Sequence, residues 1–223
     1  MKSGFGDPYI DMTEADEILE KSPDETPIEI IQRAYQRYFV DDGNPFNKSL
    51  FHFLLNRLAK QKDSYAGDHA FGLLVSHPEE TQTILNYLKE AYSIENLELP
   101  MIELIKSDQL VSHYQLYQIF KWFYEHSTRP SDSLVDLCRE VCFDVKFPRY
   151  VRTFCRAFLG KHGTNADLER IAAIYGHTAD PSERVEIICS IRRLERGRRN
   201  ALFARIENDS EMNHRAVKWV RVE

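Results

Sequence analysis

The sequence has no long apolar run. Its apolar residues come in short stretches broken by charge, and none reaches the roughly 18 residues that a membrane span needs. The N-terminal stretch MKSGFGDPYIDMTEADE has neither a basic flank nor an apolar core, so we expect no secretory signal there. Only 4 of the 223 residues are cysteine, which is typical of a chain without a disulfide framework. These features predict a cytoplasmic protein that does not contact a membrane.

The sequence also has few of the patterns that mark enzymes. It contains no H-E-x-x-H pair and no nucleophile elbow. Cys138 and Cys142 share a helical face, but no second Cys or His pair lies at zinc spacing, so we interpret both as buried thiols. Gly160-Lys161-His162-Gly163 lacks the spacing of a phosphate-binding loop, and we assign both glycines to helix ends, where a residue that tolerates positive φ is favoured. We therefore expect no catalytic residues, no metal and no cofactor.

One short stretch, Phe39-Val40-Asp41-Asp42, matches the F/Y-x-D-D metal-binding pair of reverse transcriptases. In those enzymes the two carboxylates lie on a tight β-hairpin and share Mg²⁺ with a third carboxylate. Here the pair follows a stretch of helical spacing, precedes Gly43, and has no flanking strand pattern. We interpret the match as a coincidence. The alternative, a stand-alone nuclease or polymerase, requires Asp41 and Asp42 to be metal ligands.

Helical periodicity is the main pattern that the sequence does contain. The composition, 43% hydrophobic and 29% charged, is that of a folded chain. Apolar residues recur at helical spacing, and short polar turns separate the segments. The aromatic-rich HYQLYQIFKWFYEH predicts a buried helix, with base stacking by its rings as a lesser alternative. We predict an all-α fold of about ten to twelve helices, each roughly 10–15 residues long.

A repeated phrase between Pro148 and Leu194 indicates how these helices are arranged. Val151 and Val185 lie 34 positions apart, each stands beside an arginine, and apolar residues follow both at helical spacing. A weaker third copy begins at Asn213. A period of this length is typical of stacked helical repeats. The prediction is a solenoid of stacked antiparallel helix pairs.

Charge divides the chain into an acidic and a basic region. Residues 146–223 contain 16 Lys and Arg against 10 Asp and Glu, a net charge of +6, and residues 1–145 carry −12. We treat these as two regions, which we expect to form one continuous solenoid. The basic region offers guanidinium groups for nucleic-acid phosphates. The predicted phosphate contacts are Arg192, Arg193, Arg196, Arg198, Arg199, Arg205 and Arg215. The alternative is that these arginines pair with acids of neighbouring helices, such as Glu183, Glu186 and Glu195.

The Pro148–Leu194 phrase resembles HEAT-like repeats, in which an Asp-Pro or Pro turn precedes a Val-Arg helix that closes on Leu-Gly. More narrowly, FNKSLFHFLLNRLAKQKDSYA and YVRTFCRAFLGKHGTNADLERI resemble the helical region that follows the polymerase domain in bacterial abortive-infection, antiphage-defence reverse transcriptases. The resemblance implies a C-terminal part without the polymerase palm, so no catalytic carboxylate is assigned here. It also implies a non-catalytic interaction scaffold, with a protein partner or a second copy of itself. A nucleic-acid-binding module is the alternative.

Overall fold

The computed structural model describes residues 27–40, 47–110 and 112–207, and for residues 205–207 the backbone alone. Contacts within the chain divide it into two units, residues 1–93 and 94–223. Among the described residues every regular element is helical and no strand occurs, which confirms the all-α prediction. The charge boundary at residues 145 and 146 falls inside the second unit.

The first unit is built around its second helix. Its apolar side chains Phe51, Leu54 and Leu58 are fully buried, because the helix packs against both the helix before it and the last helix of the unit. This double coverage explains why the apolar face of the segment is so wide. The helices are α1 (Ile28–Tyr35), which continues as a π-helical turn (Gln36–Val40), α2 (Lys48–Lys60), α3 (Gly67–Ser76) and α4 (Thr81–Ala91), with a 3₁₀ turn (Pro78–Glu80) before α4.

The second unit contains seven helices among its described residues. Side chains of Ser112, Ser131, Thr164 and Asp180 accept a hydrogen bond from a backbone N–H in the first turn of the helix that follows each of them. The helices are α5 (Ile94–Lys106), α6 (His113–His126), α7 (Asp132–Phe143), α8 (Arg149–His162), α9 (Asn165–Tyr175), α10 (Pro181–Ser190) and α11 (Arg196–Glu207).

Helix α8 is the centre of this unit. It packs against α7 and α9, its neighbours in sequence, and also against α6 and α10, the helices two places before and after it. Helix α5 packs on α7, and α9 packs on α10. Helices of this unit therefore contact both the next helix along the chain and the next but one.

The two copies of the repeated phrase coincide with α8 and α10, which pack together. Their arginines have the same local role. The Nε of Arg152 donates to the carbonyl of Phe147 at 3.1 Å, and the Nε of Arg184 donates to the carbonyl of Thr178 at 2.9 Å. In both copies the arginine thus holds the turn that leads into its own helix. The weaker third copy, from Asn213, lies outside the described residues.

Of the two glycines assigned to helix ends, Gly163 lies at one and Gly160 does not. Gly160 lies inside α8, and Gly163 follows the helix with φ −71°. Gly160 is required for space, because a Cβ there would lie 2.5 Å from the carbonyl oxygen of Ser190 at the end of α10. A larger residue would push the two helices apart.

The interpretation of Cys138 and Cys142 as buried thiols is confirmed. Both are fully buried, together with Cys155 of α8. Burial raises the pKa of Cys142 to about 12, and it raises the pKa of Cys155 well above its ordinary value. The thiols of Cys142 and Cys155 therefore stay protonated, and all three cysteines act as small apolar side chains.

Candidate functional site

The arginine-rich segment begins in the turn after α10 and continues into α11. Ile191 and Leu194, both buried, anchor this turn to the second unit. Arg192 and Arg193 lie in the turn, while Arg196, Arg198 and Arg199 lie in the first part of α11. Arg205 is on the same helix with its side chain undescribed, and Arg215 is outside the described residues.

Arg193 is engaged with the main chain of α8. Its Nε donates to the carbonyl of Gly160 at 2.5 Å, and its Nη2 lies 3.3 Å from the carbonyl of Leu159 and 3.2 Å from that of Gly163. The last carbonyls of a helix have no partner within the helix. Arg193 therefore caps the C-terminal end of α8, and its guanidinium is occupied by a structural role.

Two further arginines of the segment also have partners within the chain. The Nη1 of Arg199 donates to the carbonyl of Arg192 at 2.8 Å, which closes the turn before α11. Arg198 forms an ion pair with Glu169 of α9. The side chains of Arg192 and Arg196 are exposed and make no hydrogen bond or ion pair with the described part of the chain. Of the five arginines between 192 and 199, these two have guanidinium groups available for a ligand.

A second group of arginines, which sequence analysis did not select, joins α8 to α10. The side chain of Arg156 is fully buried, and its Nη2 donates to Glu183 Oε1 at 2.6 Å. Arg149 donates to Glu186 Oε1 at 2.8 Å, and Thr153 donates to Glu186 Oε2 at 2.7 Å. These contacts tie the two repeat copies together through charge-assisted hydrogen bonds.

The carboxyl group of Glu183 shows how strongly these contacts stabilise the charged form. Burial alone would raise its pKa, but the hydrogen bond from the Thr178 hydroxyl and the positive charge of Arg156 outweigh burial and lower the pKa. Glu183 is thus ionised at neutral pH although it is nearly inaccessible. Its position 27 residues after Arg156 gives no local signal that would reveal the pair in a sequence.

Aromatic side chains form a partly exposed surface on α6 and α8, which we call the aromatic surface: Tyr114, Tyr117, Tyr124, Tyr150 and Phe154. The rings of Tyr114 and Tyr117 stack at 5.6 Å, and the ring of Tyr117 meets that of Phe154 edge-on at 5.2 Å. Tyr114 is 61% exposed and Tyr150 is 45% exposed. The ammonium of Lys161 lies 4.0 Å from the centre of the Tyr124 ring.

The aromatic surface corrects part of the sequence interpretation of α6. Phe120, Trp122 and Phe123 are buried as expected, but Tyr117 and Tyr124 are only half-buried. Their spacing of seven residues, with Tyr114 three residues before Tyr117, places them on one side of the helix. This spacing was the available signal, and the buried aromatic residues between them obscured it.

A titratable cluster in the first unit has the residue types of a catalytic triad but not its geometry. Glu80 is buried and forms ion pairs with His52 and with Lys48, whose Nζ lies 3.0 Å from Oε1 of Glu80. The hydroxyl of Thr83 lies 3.1 Å from the same ring nitrogen of His52, Nε2. A triad needs the hydroxyl and the carboxylate at opposite ring nitrogens. This arrangement therefore cannot relay a proton from Thr83 through the ring to Glu80.

Asp41 and Asp42 lie outside the described residues, so their proposed coincidence with a metal-binding pair stays a prediction. Within the described ranges, no group of three or more His, Cys, Asp or Glu side chains is placed to hold a metal ion.

No described helix combines the length and the apolar character that crossing a membrane requires. No family model, curated protein or solved structure matches the chain.

Proposed function

We propose that the chain is a non-catalytic interaction scaffold built as a HEAT-like solenoid of stacked antiparallel helix pairs. The observation that carries the proposal is the engagement of its arginines. Arg193 caps α8 from the turn after α10, and Arg156 is buried against Glu183 of α10. Arginines in these positions join successive helices rather than face a ligand. The packing of α8 on α6 and α10 supports the same arrangement.

The aromatic surface is the part of the scaffold that we assign to contact with a protein partner or a second copy of the chain. Contiguous exposed apolar area is characteristic of interaction sites. Tyrosine suits such a contact, since it combines a large rigid ring with a hydroxyl that hydrogen-bonds at the rim. Tyr114 and Tyr150 offer the most accessible rings of this surface.

We further propose that the scaffold is the C-terminal part of a bacterial antiphage-defence reverse transcriptase. The support is the resemblance of FNKSLFHFLLNRLAKQKDSYA, which includes α2, and of YVRTFCRAFLGKHGTNADLERI, which spans α8 and most of α9. The coding sequence immediately upstream tests this proposal. A polymerase palm in the same reading frame supports it, and an unrelated gene or a stop codon contradicts it.

Sedimentation equilibrium of the 223-residue chain tests the scaffold function. We expect concentration-dependent association of the wild type and weaker association of Tyr114→Ser/Tyr150→Ser. Tyr65→Ser is the matched control, because Tyr65 is similarly exposed, at 47%, but belongs to the first unit. Equal association of all three proteins would remove the aromatic surface from the proposal.

A nucleic-acid-binding module is the second candidate function. Arg192 and Arg196 favour it, because both are exposed and have no partner among the described residues. A wild type that stays monomeric but binds single-stranded oligonucleotides with salt-dependent affinity would favour this candidate over the scaffold.

A further inference from the structure

The first unit contains an open groove of about 450 Å³ between α2 and α4. Residues Asn56, Ala59 and Lys60 line it from α2, and Asn86, Lys89 and Glu90 line it from α4. Lys62, in the turn after α2, completes the lining. We call this feature the lysine groove. Ala59 is the only apolar residue of the lining.

The charges of the lysine groove are mostly unpaired. Lys89 lies 3.5 Å from Glu90, the one carboxylate of the lining. Lys60 and Lys62 are exposed and make no ion pair or side-chain hydrogen bond with any described residue. The lining therefore presents three ammonium groups against one carboxylate. Such a concentration of positive charge in a concave surface attracts anions.

The backbone at Lys62 gives independent support. Helix α2 ends in a Schellman motif, in which the N–H of Lys62 donates to Ala59 and the N–H of Asp63 donates to Leu58, both at 2.9 Å. The motif requires a left-handed residue, and Lys62 has φ 54°. Glycine is the usual residue at this position because a Cβ is disfavoured there. The lysine at this position places an ammonium-bearing side chain in the lining of the groove where glycine would place none.

The turn is held in place by the side chain and carbonyl of Asp63. Its carboxylate accepts from Gln32 Nε2 at 3.0 Å and from the N–H of Tyr65 at 2.9 Å. Its carbonyl accepts from the Tyr87 hydroxyl at 2.9 Å. Contacts from α1 and α4 therefore fix the backbone beside Lys62, which sets the point at which the lysine side chain leaves the main chain.

The amide groups of the lining add donors of fixed orientation. The side-chain oxygen of Asn86 accepts from Gln82 Nε2 at 3.0 Å, so the NH₂ group of Asn86 remains for another acceptor. Ammonium and amide donors together suit phosphate oxygens. No aromatic ring lines the groove, so it offers nothing on which a base could stack.

We propose that the lysine groove binds adjacent phosphate groups of a polyanion. Three ammonium groups exceed what a single monoanion needs, and the volume is within the range of small-ligand sites. The phosphates belong either to a free polyphosphate or to a nucleic-acid backbone. The proposal stands apart from the scaffold function, because it uses the first unit and neither the aromatic surface nor the arginine-rich segment.

Calorimetric titration with inorganic tripolyphosphate and anisotropy titration with a single-stranded oligothymidylate separate the two sources. Lys60→Gln/Lys89→Gln should lower the affinity for the bound species about tenfold or more. Lys106→Gln/Lys146→Gln removes the same charge from the second unit and should bind as the wild type does. Tripolyphosphate binding with this pattern identifies a free polyphosphate, and binding of the oligonucleotide alone identifies a nucleic-acid backbone.

Lys62→Gly distinguishes binding from a structural role of the lysine. Glycine fits the left-handed position, so this variant should unfold at the same or a higher urea concentration than the wild type. Its affinity for the polyanion should nevertheless fall about fivefold or more. Absence of binding by the wild type overturns the proposal. Binding that none of the lysine variants changes, or that only arginine variants remove, overturns it as well.

Discussion

Arg156 of α8 donates to Glu183 of α10 across 2.6 Å with its own side chain completely buried. The hydroxyl of Thr178 donates to the second oxygen of Glu183, also at 2.6 Å. The pair thus joins the two helices that carry the repeated phrase. A buried ion loses its hydration, so its partner becomes essential once both are inside. Removing one member of the pair should therefore lower the free energy of unfolding by more than half of the loss that removing both members causes.

Substitution of this pair should show strong coupling. Arg156→Met leaves the buried Glu183 with only the longer ion pair to Arg152, at 4.0 Å, and we expect the free energy of unfolding to fall by about 3 kcal/mol. Glu183→Met should have a similar effect. The double variant should lose clearly less than the sum of the two. Urea unfolding followed by tryptophan fluorescence measures this, because Trp122 is buried in the second unit. Additive losses would show that the two side chains do not depend on each other.

Asp167 should make the free energy of unfolding depend on pH in the acidic range. Burial raises the pKa of its carboxyl, but hydrogen bonds from Arg139, at 2.8 and 3.0 Å, and from Thr164 outweigh burial and lower it. The unfolded carboxyl has a pKa of about 3.9, so the unfolded state binds the proton more tightly. The contribution to stability is therefore complete above about pH 4 and is lost as the pH falls through the lower, folded value.

Comparing the wild type with Asp167→Asn tests the direction of this pH dependence. The difference in unfolding free energy between wild type and variant should stay constant from about pH 7 to 5 and shrink below about pH 4. A difference that is unchanged at the lowest pH would mean that the charge of Asp167 contributes nothing and that only its cap on α9 matters.

Gly160 should not tolerate a methyl group. A Cβ at this position would lie 2.5 Å from the Ser190 carbonyl oxygen and 3.1 Å from its Cα. Gly160→Ala should therefore lower the free energy of unfolding by about 1–3 kcal/mol through overpacking. Gly72→Ala is the matched control, since Gly72 is also helical and nothing lies within 4 Å of its Cβ position. That substitution should raise helix stability by about 0.5–1 kcal/mol. Equal effects on thermal unfolding would contradict the close packing of α8 on α10.

The class of fold was predictable from the sequence because helical periodicity is a local property. The spacing of Leu54 and Leu58, or the cap and proline at Asp180-Pro181, specify helices without reference to distant residues. The role of Gly160 was not predictable in this way. Its requirement comes from the backbone of Ser190, 30 residues later, whereas the local pattern suggested a helix end.

The candidate site was predictable only in part for the same reason. Charge density selects Arg192 to Arg199 as a group, but the partner of each guanidinium depends on which helix end or carboxylate lies opposite. Arg193 meets the carbonyls of α8, and Arg196 meets nothing described. Lys62, by contrast, was not selected by any sequence pattern, because a single lysine forms none. Its position in the groove and its backbone angle become visible only in the structure.

The arginine-rich segment should separate into binding and structural residues if nucleic acid binds there. Arg192 and Arg196 are exposed without partners in the described chain, so Arg192→Gln/Arg196→Gln should weaken binding to all single-stranded sequences alike. Losing two phosphate contacts should reduce the slope of log affinity against log salt by about 1.4, at roughly 0.7 per contact. Stability should change by less than about 0.5 kcal/mol, as for most surface substitutions.

Arg193→Gln should behave in the opposite way. Its guanidinium satisfies carbonyls of Leu159, Gly160 and Gly163, so the variant should lose about 1 kcal/mol of unfolding free energy and keep the wild-type salt slope. Anisotropy titrations between about 50 and 200 mM salt, paired with urea unfolding, measure both quantities. A flattened slope in Arg193→Gln with unchanged stability would mean that this side chain leaves α8 to bind phosphate. The cap would then be a resting contact that nucleic acid displaces, and the interface would extend from α11 onto the C-terminal end of α8.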